Sequence, residues 1–79
     1  MSSMIKEKLK EYQILSKRLY ELRTENNYTQ SEVADKLHIS YQSYQAYELG
    51  TAVPTLQNFI NLAKIYDVSL DYLVGRDEI

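Results

Sequence analysis

The 79-residue chain has room for one domain, and a domain of this size buries only about 60% of the surface that its unfolded chain exposes. Hydrophobic residues make up 44% and charged residues 25%, an ordinary globular balance, and the lack of cysteine excludes disulfides and thiolate zinc sites. The net charge of −2 argues mildly against a strongly basic nucleic-acid surface.

The first predicted helix runs from about Ile14 to Asn26. Leu15, Leu19 and Leu22 recur within it at the spacing of one helical face. Residues 1–13 either extend this helix or form a separate N-terminal arm, since the pattern is compatible with both. The lysines in that stretch either contact phosphate or keep such an arm solvated.

Four residues that commonly cap helices indicate the starts of four further helices. They are Thr29, Ser40, Thr55 and Ser69, each followed four positions later by an apolar or aromatic residue. Thr29 and Glu32 also have the spacing of a capping box. The predicted helices span about 30–37, 41–48, 56–66 and 70–74. The helix over 56–66 is expected to contribute to the core Leu56, Phe59, Leu62, Ala63 and Tyr66.

The predicted helix ends call for residues in the left-handed conformation. Gly50 and Gly75 suit two of them, and Asn27, His38 and Asp67 stand at the other three. Asn, Asp and His are the residues other than glycine most often found there, at a cost of about 1 kcal/mol or less. His38, the only histidine, is therefore interpreted as structural rather than catalytic or metal-binding.

The second and third predicted helices, joined by the short turn 38–40, have the size of a helix-turn-helix. In that arrangement the first helix lays its N-terminus against the phosphate backbone. The second inserts its N-terminal side chains into the major groove, which is wide enough for one α-helix.

The chain resembles the phage repressor and Cro-like (XRE-type) family of helix-turn-helix regulators. The matching residues are Thr29-Gln30, Glu32, Val33-Ala34, Leu37, Ile39-Ser40, Tyr47-Glu48, Gly50, Pro54, Leu56, Leu62-Ala63, Val68-Ser69 and Asp71-Tyr72-Leu73, with Arg18-Leu19 and Leu22-Arg23 before them. The resemblance implies an all-α, compact, lambda-repressor-like domain of five helices over 14–75. Residues 76–79 would form a C-terminal tail, where a linker to a second domain commonly begins in this family.

The resemblance also implies roles for individual residues. Those expected to read bases are Ser40, Tyr41, Gln42, Gln45 and Ala46, and those expected at the DNA backbone are Thr29, Gln30, Gly50 and Thr51. Gln42 suits the N6 and N7 atoms of adenine, and Ser40 or Ala46 suits a thymine methyl group. A solvated surface position without a DNA contact remains the alternative for Gln30, Gln42 and Gln45. Arg23 and Glu48 are implied as the ion pair that ties the first helix to the recognition helix.

Three features depart from the family pattern. His38 replaces the usual turn glycine, and Leu49 replaces a more usual polar or basic residue. The loop 51–53 has no Lys or Arg, which predicts few released counterions on DNA. By contrast Tyr44 and Tyr47, although they share a three-residue spacing with Tyr41, are expected to pack inward with their hydroxyls near solvent.

The leading interpretation is operator reading on double-stranded DNA by a homodimer in the cytoplasm, because one small helix reads too few base pairs alone. The residues offered for the dimer interface are Ile60, Ile65, Tyr72 and Val74. The alternative is a protein-interaction module on the same fold, such as an antitoxin-like or bridging partner, which the acidic pI favours slightly. One histidine, no cysteine and no glycine-rich loop predict no enzyme, cofactor or metal. No apolar run approaches the roughly 18 residues of a membrane span.

Overall fold

The structure, a computed structural model, describes residues 9–77. Five helices follow one another along the chain: α1 (Lys10–Glu25), α2 (Gln30–Leu37), α3 (Tyr41–Leu49), α4 (Leu56–Tyr66) and α5 (Leu70–Val74). The described residues contain no strand, which confirms the all-α prediction of five helices. No helix within 9–77 is long and apolar enough to cross a membrane.

Helix α1 begins one turn earlier than its predicted start at Ile14. It follows Leu9, whose backbone is extended and whose side chain makes no cap hydrogen bond, so no cap residue marks the start in the sequence. Of the stretch 1–13, residues 10–13 therefore belong to α1, whereas residues 1–8 lie outside the described part of the chain. The predicted tail is described only as far as Asp77, which accepts a hydrogen bond from Arg18 on α1.

The predicted caps of α2 to α5 are confirmed. Thr29 accepts from the amide of Glu32 at 3.1 Å, and the Glu32 carboxylate accepts from the amide of Thr29 at 2.7 Å, which completes the capping box. The hydroxyls of Ser40, Thr55 and Ser69 each accept from the amide three residues ahead. Each such cap typically contributes about 1 kcal/mol.

The helix ends also adopt the predicted conformation. Asn27, His38 and Asp67 have φ of 59°, 59° and 55°, and both glycines are left-handed as well. Gly75 has a second reason to lack a side chain, because a Cβ there would lie 2.6 Å from Cδ1 of Ile14 on α1. The end of α5 consequently packs tightly against the first helix.

All five helices contribute to one core. Its buried members are Leu15, Leu19, Leu22, Val33, Ala34, Leu37, Tyr44, Tyr47, Leu62, Ala63, Tyr66 and Leu73. Phe59 packs against this cluster, but Leu56 is 70% exposed, so its predicted place in the core is wrong. Leu56 is the first residue of α4 and lines an open groove instead of the core.

The left-handed backbone at His38 predicts a gain in stability from glycine. His38→Gly removes the steric cost of a Cβ at positive φ and should raise the free energy of unfolding by up to about 0.5 kcal/mol, because the added backbone freedom of the unfolded chain offsets much of that cost. Urea denaturation followed by circular dichroism measures the change. His38→Ala is the control, since it keeps a Cβ at the same φ and should bring no gain. An equal gain from both variants would assign the cost to the imidazole and not to the backbone.

Candidate nucleic-acid interface

The turn between α2 and α3 is held by local bonds and by the core. His38 ends α2 in the left-handed conformation, and the amide of Ile39 donates to the carbonyl of Ala34 at 3.0 Å. Ile39 packs against the core, and Ser40 then caps α3. The angle between α2 and α3 is thus defined by bonded and buried groups at the turn itself.

One face of α3 points inward and the other is open. Tyr44 and Tyr47 are buried, as predicted. The predicted position of the Tyr44 hydroxyl near solvent is wrong, because it bonds to the Tyr66 hydroxyl in the core. Gln42 is exposed, and Gln45 and Ala46 are half-buried. Polar side chains with matched donors and acceptors therefore stand on the open face of a helix that follows a tight turn.

The hydroxyl groups near the start of α3 already have partners. Ser40 accepts from the amide of Ser43 and donates to its hydroxyl at 2.9 Å. Tyr41 accepts from Nε2 of Gln45 at 3.3 Å. Because the Ser40 hydroxyl serves as the helix cap, the Cβ of Ser40 is the part of the side chain available for an apolar contact.

The candidate backbone contacts lie at two points beside α3. Thr29 and Gln30 lie at the start of α2, where the helix dipole favours an anion. The capping box already uses the amides of Thr29 and Glu32. Gly50 and Thr51 follow α3, and the amides of both donate to the carbonyl of Ala46. Gln30 is tied to this same C-terminal end of α3, since its Nε2 donates to Glu48 Oε1 at 3.0 Å. This bond uses one of the two Nε2 hydrogens.

Glu48 lies at the centre of a polar cluster between three helices. Its side chain is only 5% exposed, and its carboxylate accepts from Nε and Nη2 of Arg23 at 2.6 and 3.2 Å. Arg23 also donates to the carbonyl of Tyr28 at 3.0 Å. The hydrogen bond with Glu48 raises the pKa of the Arg23 guanidinium above its ordinary value. The pair joins α1 to α3, and Gln30 adds α2.

The hydroxyls of three buried tyrosines also form hydrogen bonds. Tyr44 and Tyr66 share a hydrogen bond of 3.2 Å, and Tyr47 accepts from Nδ2 of Asn58 at 3.2 Å. Burial raises the pKa of Tyr66 to about 12, and burial together with the Tyr66 and Glu48 contacts raises that of Tyr44 further. The roles of Tyr66 and Asn58 as bonding partners could not be predicted from the sequence, because no local spacing signals a contact between residues on separate helices.

The open face carries little charge. The only charged residue of α3 is Glu48, which is paired, and the loop 50–55 has none. Lys36 on α2 lies over the ring of Tyr28, with Nζ 5.1 Å from the ring centre. Within residues 9–77, no cluster of His, Asp and Glu side chains is placed to hold a metal ion.

The sequence matches the family model described as helix-turn-helix over residues 19–73, a segment that contains α2, the turn and α3 in full. The chain belongs to the helix-turn-helix family. Its resemblance to XRE-type regulators is supported by relatives that are named as an HTH-type transcriptional regulator and a phage transcriptional repressor. No solved structure gives a significant match.

Three curated relatives illustrate the similarity of this helix-turn-helix chain to regulators. The HTH-type transcriptional regulator ImmR of Bacillus subtilis (strain 168) is 42% identical over 65 residues, which are 82% of this chain and 51% of that protein. The cryptic phage CTXphi transcriptional repressor RstR of Vibrio cholerae is 39% identical over 62 residues, 78% of this chain and 55% of RstR. AnsR of Bacillus subtilis is 38% identical over 61 residues, 77% of this chain and 53% of AnsR. The chain thus spans about half the length of these relatives.

The buried ion pair predicts a large cost for removing one partner. Glu48→Gln leaves the Arg23 charge without its carboxylate and should lower the free energy of unfolding by about 3 kcal/mol, the lower end of the usual 3–5 because Arg23 keeps some solvent contact. Urea denaturation measures the loss.

The matched control is Glu11→Gln, which breaks an ion pair of 3.2 Å to a largely exposed Arg76. Exposed pairs contribute about 0–1 kcal/mol, so this variant should change stability little. Similar losses from the two variants would contradict a structural role for the Glu48 cluster.

Proposed function

We propose that this chain binds double-stranded DNA and reads an operator sequence with α3, as the DNA-binding part of a transcriptional regulator in the cytoplasm. The observation that carries the proposal is the polar open face of α3, which a cap and a core-packed turn hold at a defined angle to α2. The names of the relatives support the same function. The proposed role is binding and not catalysis.

The start of α2 and the residues that follow α3 would contact the DNA backbone. The start of α2, with the side chains of Thr29 and Gln30 and the first-turn amides that the capping box does not use, would face one phosphate. Gly50 and Thr51 would lie beside another beyond the end of α3, although their amides already donate to the Ala46 carbonyl. Since the open face is nearly uncharged, few counterions would be released on binding. The slope of affinity against salt should therefore be shallow for a DNA-binding domain.

Base reading would come from the N-terminal half of α3. Gln42 is exposed. Its amide can donate to adenine N7 through Nε2 and accept from adenine N6 through Oε1. Ala46 and the Cβ of Ser40 would contact thymine methyl groups. Tyr41 and Gln45 complete the reading set.

A homodimer on a two-fold operator is also proposed, with a second copy of the chain docked on the outer face of α4 and α5. Ile60 and Leu70 are 36% and 40% exposed on this face. Lys64 and Asp67 lie beside them, so two-fold symmetry would set Lys64 of each copy against Asp67 of the other.

Except for Ile60, the residues predicted from the sequence for the dimer interface are less suited to this face. Ile65 and Tyr72 pack against the core, and the guanidinium of Arg18 lies 4.1 Å from the centre of the Tyr72 ring. Val74 is half-buried and lines a different groove. The proposed interface accordingly keeps Ile60 and adds Leu70.

A protein-interaction module remains the second candidate, and one observation favours it. An apolar groove of about 280 Å³ opens between α1, α4 and α5 and is lined by Tyr12, Leu15, Val53, Pro54, Leu56, Phe59 and Val74. Such a groove suits a protein that presents an apolar side chain. It lies outside the proposed DNA contacts on α3.

Selection of bound duplexes from a random library, at low and moderate salt, tests the operator reading. We expect an enriched, two-fold-symmetric motif. Gln42→Ala should relax the preference at one base pair of each half-site, with a loss of about 1–3 kcal/mol in discrimination there, because it removes a bidentate contact.

The matched control is Gln13→Ala, which removes an exposed glutamine from α1. It should enrich the same motif as the unmodified chain. Failure of the unmodified, folded chain to enrich any motif would refute operator reading by this chain and favour the protein-interaction module.

The proposed dimer predicts that a charge at one exposed apolar residue weakens dimerisation, whereas a charge at another does not. Ile60→Lys would place like charges and a desolvated ammonium at the two-fold interface, so it should weaken dimerisation on operator DNA by at least tenfold. Leu56→Lys, on the apolar groove, should leave dimerisation unchanged although Leu56 is more exposed. Sedimentation of the protein with one-site and two-site duplexes measures both. The opposite order of effects would move the interface to the groove.

A further inference from the structure

Two residues of the open face are bonded to each other before any DNA is present. Nε2 of Gln45 donates to the hydroxyl of Tyr41 at 3.3 Å, one helical turn away on α3. Tyr41 is 42% exposed, and Gln45 is half-buried. Both therefore lie at the edge of the surface that would face the groove.

This bond orients the glutamine amide. A free amide rotates about its last torsion and can present its oxygen or its nitrogen on either side. With one Nε2 hydrogen held by Tyr41, the nitrogen lies on the Tyr41 side and Oε1 on the other. Gln45 then presents one remaining N–H donor and one acceptor, side by side and in a defined order.

That order matters for which base Gln45 can read. Adenine offers an acceptor at N7 and a donor at N6, which match one N–H and one carbonyl oxygen. Guanine offers acceptors at both N7 and O6, so Oε1 of an oriented Gln45 would face O6 with no hydrogen between them. To serve guanine with both Nε2 hydrogens, the amide would have to turn over, which breaks the bond found in the structure and requires the Tyr41 hydroxyl to donate to Oε1 instead.

We propose that Tyr41 is a positioning residue that, through its hydroxyl, orients Gln45 to read adenine and to reject guanine. The inference rests on the proposed reading of DNA by α3. It assigns the specificity at one base pair to a residue that need not touch the base. A bond already formed in the free protein also lowers the entropy lost when Gln45 binds.

The test is a double-mutant cycle with Tyr41→Phe, Gln45→Ala and the double variant, on operator duplexes found by selection. The base pair that Gln45→Ala relaxes identifies the Gln45 position. Affinities are then measured with adenine and with guanine at that position. Tyr41→Phe removes only the hydroxyl, and Tyr12→Phe is the matched control because it removes an exposed hydroxyl from α1.

We expect the unmodified chain to prefer adenine there. Tyr41→Phe should lower the adenine-to-guanine preference by about two- to tenfold, the range that one hydrogen bond accounts for, and leave the other positions unchanged. In the Gln45→Ala background, Tyr41→Phe should have no further effect at that position. Tyr12→Phe should match the unmodified chain throughout.

Several results would overturn the inference while the proposed function stands. These are a preference for guanine at the Gln45 position, an effect of Tyr41→Phe that is the same for all sequences, or an equal effect of Tyr41→Phe with and without Gln45. Absence of any enriched motif for the unmodified chain is a distinguishable result, since it would overturn operator reading itself and this inference with it.

Discussion

The buried carboxylate of Glu48 is the constraint on which the arrangement of the helices depends. A charge that is only 5% exposed costs several kcal/mol unless it is paired, and its partners must come from other elements of the fold. Arg23 supplies two donors from α1, and Gln30 supplies one from α2. Apolar packing is not directional, whereas these bonds accept only a narrow range of geometries. The orientation of α3 relative to α1 and α2 is thereby set at the end of α3 that lies away from its cap.

The buried tyrosines of the core impose a similar requirement, because their hydroxyls also need partners from other helices. A buried aromatic side chain typically removes about 150–250 Å² from solvent, more than most aliphatic residues, but every buried tyrosine hydroxyl then needs a partner. Tyr44 and Tyr66 satisfy one another, and Asn58 donates to Tyr47. Among the described residues, no buried side-chain nitrogen or oxygen is left without a hydrogen bond. The tyrosines thus join α3 to α4 by bonds with defined geometry as well as by burial.

What could be predicted from the sequence was local in origin. Cap residues, the capping box and the left-handed ends depend on groups within four or five positions, so Thr29 and His38 could be placed correctly from the sequence alone. The start of α1 was missed because Leu9 offers no cap, and Leu56 was misplaced because periodicity gives a helical face but not how far the neighbouring helices cover it. The bond of Gln30 to Glu48 spans 18 positions, and no local pattern reveals it.

A nearly neutral reading face has a consequence for specificity in the proposed function. Nonspecific binding to DNA is supplied essentially by phosphate neutralisation and counterion release, whereas base reading depends on hydrogen bonds and apolar contacts in the groove. A face without cations therefore weakens nonspecific binding more than it weakens operator binding. Side chains ordered in advance, such as Gln45 on Tyr41, limit the entropy lost on the operator and recover part of the affinity. Low charge and prior order would together favour discrimination between sites over affinity for DNA in general.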